Sequence, residues 1–194
     1  MKNVTASEIP SGFKFEQPFG SVVQVGYVVK DVVAAMTSYA RDLHIGPWFY
    51  FDSYEFKDAK YCGESSEAVI RVGIAFAGNM SFELIEQVND KPSIYQSRGS
   101  ANISRFHHWG IGSNNFEADL ANQVANGYEV RFTARSPRGI RLAYLDTLGV
   151  LPGMIEIIEF NERQENLYHA MFEAAKTWDG AQPIRSFDSL NLKY

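Results

Sequence analysis

From Val22 to Val29 apolar residues recur with the period of a strand, with Val23, Val25, Tyr27 and Val29 on one side and Val22, Gln24, Gly26 and Val28 on the other. Gln24 therefore stands where an apolar residue is expected. Helical spacing follows: Val32, Met36, Tyr39 or Ala40, and Leu43 recur behind Asp31, a residue suited to cap a helix, until Gly46-Pro47 ends the run. Trp48-Phe49-Tyr50-Phe51 has strand character, whereas Asp52 to Ser66 is polar, contains Gly63, and reads as a loop able to act as a lid. Val69 to Phe76 and Ser81 to Glu86 read as two strands joined by a turn at Ala77-Gly78-Asn79.

The second half repeats this grammar. Phe106 to Ser113 is a strand, and Asn114 with Glu117 three residues on is a capping-box signal for a helix that sets Phe116, Leu120 and Val124 on one face and ends at Asn126-Gly127. Three strands follow, at Tyr128 to Ala134, Ile140 to Asp146, and Met154 to Phe160. The chain thus predicts an α+β fold of two βαβββ modules, an internal duplication. The expected boundaries are an N-terminal arm at 1–20, module one at 21–88, a linker at 89–104, module two at 105–160, and a helical tail at 161–194. Leu167, Met171 or Phe172, and Ala175 give the tail an amphipathic helix, expected to brace the sheet or a partner subunit and able to close one end of a pocket.

The 194 residues suffice for a substantial core, and a net charge of -5 with scattered lysines and arginines leaves no electrostatic footprint for nucleic acid. Cys62 is the single cysteine, which excludes an intrachain disulfide and argues against a thiolate metal site. The first twenty residues contain no apolar run like that of a signal peptide, and no stretch approaches a membrane span, so a cytoplasmic location is expected.

The chemistry lies in polar residues placed within apolar strands. Glu83 and Glu156 end the last strand of each unit among aliphatic neighbours, and a buried carboxylate is costly unless paired or bound to a cation. Gln24 and His108 open the first strands. If the two units curve around one cleft, these four residues converge, and one imidazole with three oxygen donors suits a divalent ion such as zinc, nickel, cobalt, manganese or iron. Gly26 and Gly110 each lie two residues after a proposed ligand and leave space on the same strand face. Glu86 and Glu159 are the alternative inward pair. His107 is expected on the opposite face from His108, as a spare candidate, while His44 and His169 fall on helices.

These motifs resemble the vicinal oxygen chelate superfamily of glyoxalase I, methylmalonyl-CoA epimerase, extradiol dioxygenases and bleomycin-resistance proteins. The matching stretches are Gln24 to Asp31, Gly46-Pro47-Trp48, Phe82 to Ile85, Phe106 to Ile111, and Gly153 to Glu159. The resemblance implies a curved eight-stranded cleft, a homodimer, and metal ligands at Gln24, Glu83, His108 and Glu156. The ligand set is similar to that of glyoxalase I; the double histidine and Gly-Pro-Trp look more like the epimerase branch. Where the epimerase carries a carboxylate as second base, this chain has Val72, with Glu64 and Glu67 the nearest acids in sequence.

The expected function is that of a metal-dependent lyase or isomerase that moves a proton next to a carbonyl of a small-molecule substrate, which chelates the ion through neighbouring oxygens. Glu156, then Glu83, are the expected proton carriers. Trp48, Tyr50, Arg71 and Arg141 are the expected substrate-pocket residues. A metal-free binding protein of the same fold is the alternative, and an iron(II) dioxygenase the third reading.

Overall fold

The computed structural model describes residues 12–96 and 104–190. In the first half, β1 (Val22–Val28) leads into α1 (Val32–Leu43), where the Asp31 carboxylate accepts from Ala34 N at 2.9 Å as the sequence predicts. The chain continues through β2 (Trp48–Glu55), β3 (Lys57–Tyr61), β4 (Glu64–Ser65), β5 (Val69–Ala77) and β6 (Met80–Gln87). The second half runs through β7 (Arg105–Ser113), α2 (Phe116–Ala125), β8 (Glu129–Arg135), β9 (Arg141–Asp146) and β10 (Met154–Glu159). Then come α3 (Glu162–Lys176), the short β11 (Ile184–Ser186) and a 3-10 turn at Phe187–Leu190.

Among the described residues all strands join one curved mixed sheet in the order β11-β2-β5-β6-β1-β7-β10-β9-β8-β3-β4, eleven strands where eight were expected. The halves meet at the antiparallel pair β1–β7, and each of these strands is flanked on its other side by a parallel partner, β6 or β10. β2 and β3 lie near opposite ends of this order although only Phe56 separates them in the chain. One continuous segment therefore bridges the two ends, and the sheet must curl into a cup to allow it.

This bridge corrects the loop expected at Asp52 to Ser66. Its polar sequence hides a ladder: Lys57, Lys60 and Tyr61 pair with Arg135, Thr133 and Phe132 of β8. β3 lies near the end of the sheet, flanked on its far side only by the two-residue β4, and Ala59 alone of β3 is buried. The capping box expected at Asn114 also gives way, since Asn115 precedes the helix without a side-chain cap and Glu117 bonds Arg141 instead.

α1 covers the outer face, where Val32, Met36 and Ala40 pack with Trp48, Ala75 and Leu84, and α2 sets Phe116 against Ala143, Leu145, Ile155 and Ile157. α3 packs on the other face of β5, with Tyr168 and Phe172 against Phe76. Phe13 and Phe15, from the expected arm, are buried with Phe160 in the same inner core, while 1–11 lies outside the described residues. The same holds for 97–103 of the expected linker. No helix among the described residues is long and apolar enough to cross a membrane.

Candidate metal centre

Sheet register places the four donors. Across the strands, Glu83, Gly26 and His108 form one row, since Gly26 pairs with Glu83 on β6 and with His108 on β7. Two residues along, Gln24, Gly110 and Glu156 form the next row, Gly110 pairing with Gln24 on β1 and with Glu156 on β10. Each row is a donor, a glycine and a donor. Residues two apart share a face, so all four side chains rise from one patch of the cup floor.

The glycines make room for side chains of the facing strand. An added Cβ at Gly26 would overlap the His108 ring, and one at Gly110 would come within 2.8 Å of Gln24 Cβ. His108 and Gln24 thus each lean over the glycine of the other half.

The His108 Nε2 atom lies 3.1 Å from Glu156 Oε2 and 3.5 Å from Glu83 Oε2. Donor atoms of Glu83, His108 and Glu156 all fall within 4.8 Å of one another. His108 is fully buried, whereas Glu83 keeps 14% of its side chain exposed and Glu156 6%. Gln24 Nε2, Glu83 Oε2, His108 Nε2 and Glu156 Oε2 all lack a hydrogen-bond partner. The His108–Glu156 approach is close enough for charge attraction without the alignment of a hydrogen bond. Orphaned buried polar atoms are rare in folded proteins, and the three of Glu83, His108 and Glu156, gathered at one point, call for a shared partner. Three oxygen or nitrogen donors with two negative charges fit a divalent cation.

The sequence reading placed His107 on the opposite face, and the structure corrects this. Gly26 pairs with His108 but the next residue, Tyr27, pairs with Phe106, so β7 bulges and His107 turns inward. Its Nε2 lies 3.2 Å from Ile94 O, and its Nδ1 lies 3.0 Å from His108 Nδ1. A carbonyl only accepts, so His107 Nε2 carries the hydrogen and Nδ1 is left to accept from His108 Nδ1–H. His108 then presents the lone pair of Nε2 to the site, the tautomer a metal ligand needs.

For His107 the electrostatics agree with this assignment. Burial and the neighbouring His108 hold the His107 imidazole well below its ordinary value, hence neutral. Burial would also lower His108, but Glu156 and Glu83 outweigh it and raise the ring. Burial, then Glu156, push Glu83 up to about 8, against the opposing pull of His108 and Gln24. Without a cation, one proton must stay among these groups to limit the repulsion.

Above the site is a cavity of about 90 Å³ whose floor includes Gln24, Glu83 and Glu156. Its walls are Phe51, Tyr54, Phe56, Tyr95 and Tyr144, with Ile, Val and Leu side chains between them. α3 contributes Gln164, Leu167 and Tyr168, and the Tyr168 hydroxyl donates to Gln24 Oε1 at 2.7 Å.

None of the four expected pocket residues lines this cavity. Trp48 is buried under α1 beside Tyr39, and Tyr50 bonds Asp52, because strand alternation turns Phe51 inward in their place. Arg71 pairs with Asp52 and Glu86, and Arg141 with Glu159 and Glu117, on the opposite face from the site. These ion pairs and a bond from Val32 N to Glu86 also occupy the alternative acids. His44 caps α1 and stacks on Trp178, away from the centre. Val72 lines the cavity, Glu64 is exposed, and Glu67 pairs with Lys91.

The family model for the glyoxalase/bleomycin resistance protein/dioxygenase superfamily matches residues 23–144. The chain belongs to that superfamily. Among solved structures, a hypothetical protein of Bacillus halodurans C-125 is 19% identical, with a TM-score of 0.52 over 73% of this chain and 95% of that one. A methylmalonyl-CoA epimerase of Mycobacterium tuberculosis is 14% identical, with a TM-score of 0.50 over 77% and 96%. A variant of the Streptomyces coelicolor epimerase in complex with 2-nitronate-propionyl-CoA is 16% identical, with a TM-score of 0.51 over 74% and 96%. At these identities the likeness is one of fold. No curated protein matches the chain.

Proposed function

We propose that this superfamily member is a metal-dependent lyase or isomerase that moves a proton on the carbon next to a carbonyl, with Glu83, His108, Glu156 and Gln24 holding a divalent ion. The observation that carries the reading is the convergence of three partnerless donor atoms, those of Glu83, His108 and Glu156, on one point of the cup floor, with Gln24 rising from the same patch. For Gln24 to ligate, its amide turns by half, so that Nε2 donates to the Tyr168 oxygen and Oε1 enters the site. A tyrosine hydroxyl accommodates both orientations because it donates and accepts.

A divalent ion bound there supplies Lewis acidity, stabilising negative charge on a carbonyl oxygen of a substrate with two neighbouring oxygens. The residues of the chain do the rest. Glu156 and Glu83 border the cavity from opposite halves, so each can reach a carbon held above the floor. Glu156 takes the proton and Glu83 is the second carrier, the general acid–base role open to a carboxylate that borders the reacting carbon. His108 lies beneath them, fully buried, and its role is to hold the ion. Aromatic walls exclude water from the carbanion-like state.

The test is exchange of a carbon-bound hydrogen with deuterium oxide. Zinc-, nickel-, cobalt- or manganese-loaded protein, given 2-oxo and 2-hydroxy carbonyl compounds and 2-methyl acyl thioesters, should wash deuterium into the carbon next to the carbonyl of at least one of them. Glu156→Gln should slow that exchange by about 100-fold or more. Stoichiometric metal with no exchange in any compound, but tight binding, would favour a binding protein of the same fold.

A further inference from the structure

The paired strands supply much of the cavity wall, and segments outside them complete it. Phe56 sits at the bridge between β2 and β3, Tyr95 follows β6, Leu167 and Tyr168 come from α3, and Phe187 from the final turn. Tyr95 and Phe187 are 2% and 4% exposed, so they are fixed parts of the wall. Phe51 packs on Phe187 with ring centroids 3.7 Å apart, and Phe56 on Phe132 at 5.3 Å, sealing the cup on two sides. Apart from the floor donors, only Pro137, Arg138 and Gln164 of the lining are both half-exposed and outside the aliphatic and aromatic set.

We infer that this site takes a compact, ring-bearing apolar substrate, two neighbouring oxygens on the ring or beside it facing the floor, and that it does not admit a substrate with a long polar tail. This rests on the metal-dependent reading of the same site. A volume of about 90 Å³ is well below the roughly 300 Å³ or more of common small-molecule pockets, and suits one ring. The wall is mostly stacking faces and aliphatic contacts; its polar side chains apart from the floor donors are Ser136, Arg138, Gln164 and the tyrosine hydroxyls, so the enclosed volume, not a lack of polar groups, is what limits a long tail. Val72, in the wall, adds apolar surface.

Hydroxamates separate the substrate class from the metal reading, because each carries the same two-oxygen head. Zinc-loaded protein is titrated calorimetrically with acetohydroxamate, benzohydroxamate and propionyl-CoA, its zinc content being measured beforehand. Benzohydroxamate should bind roughly 10- to 100-fold more tightly than acetohydroxamate, the gain expected for burying a ring, and propionyl-CoA should not bind. Leu142→Trp, which fills the cavity from β9, should abolish the ring's advantage while zinc content and acetohydroxamate binding stay as they are. Equal affinity for the two hydroxamates, or propionyl-CoA binding as tightly as benzohydroxamate, would overturn the inference with the metal site intact. Absence of zinc would instead strike at the metal-dependent reading. In that case ligand-observed fluorine NMR of 4-fluoroacetophenone with the metal-free protein decides the pocket question: binding lost in Leu142→Trp supports the inference, and no binding overturns it.

Discussion

The His108 imidazole lies directly over Gly26, its cross-strand partner on β1, in the space a Cβ would fill. The ring reaches both carboxylates only because that strand position has no side chain. Gly26→Ala should therefore push the ring off its seat, destabilise the fold by about 1–3 kcal/mol, and lower metal content. Thermal unfolding with elemental analysis checks this. A variant with unchanged metal content would show that the glycine is not needed for the site.

His107→Phe tests the pair of imidazoles. Phenylalanine keeps the ring's bulk but cannot accept from His108 Nδ1–H, so it removes the contact that fixes the tautomer. Metal affinity should fall about 10- to 100-fold while the fold persists, as for other partners that orient a ligand histidine. A competition titration against a chromophoric chelator measures it. Affinity equal to that of the parent would return His107 to a packing role.

Glu83 gives a pH signature in chelator-treated protein. Its ordinary carboxyl value is 4.5, and the folded protein holds the proton up to about 8. Between those values the folded state binds more protons than the unfolded one, so stability is greatest below the lower value and is lost as pH rises through the upper one. The raised His108 ring has the same sign. The loss should be on the order of a few kcal/mol across the window. Metal uptake should release a proton and strengthen with pH up to about 8. Melting temperatures from about pH 5 to pH 9 that stay level without metal would contradict this.

Tyr168→Phe removes the hydroxyl that donates to the buried Gln24 amide. Leaving that amide unpartnered should cost about 1–3 kcal/mol. Denaturant unfolding checks the stability. Metal content should change less than in Gly26→Ala, because three donors are untouched.

Much of the site was legible because duplication sets polar residues at equivalent places in two apolar patterns. Gln24 with His108, and Glu83 with Glu156, stand out against runs that are otherwise largely apolar. What alternation could not reveal was its own interruption. The bulge at His107 reverses the face of one residue, and no periodicity in Phe106 to Gly110 announces it. Trp48 and Tyr50 were expected to line the pocket because the run is aromatic throughout. Which of its residues face inward depends on strand phase, and the phase gives Phe51.

The bridge and the distant cavity walls were hidden for a different reason. β3 is held by ladder hydrogen bonds to β8, which any sequence without proline can make, so Lys57 to Tyr61 looked like loop. Tyr95 and Tyr168 reach the cavity through contacts across large sequence separations. Composition and spacing carry no trace of such contacts.

The most direct test of the account is the metal content of freshly purified, untagged protein, by elemental mass spectrometry, beside His108→Ala. The converging donors predict about one divalent ion per chain in the parent and loss of most of it in the variant, with both still folded by circular dichroism. Metal-free parent protein that stays so after reconstitution with zinc, nickel, cobalt, manganese and iron(II), or equal metal in both proteins, would contradict it.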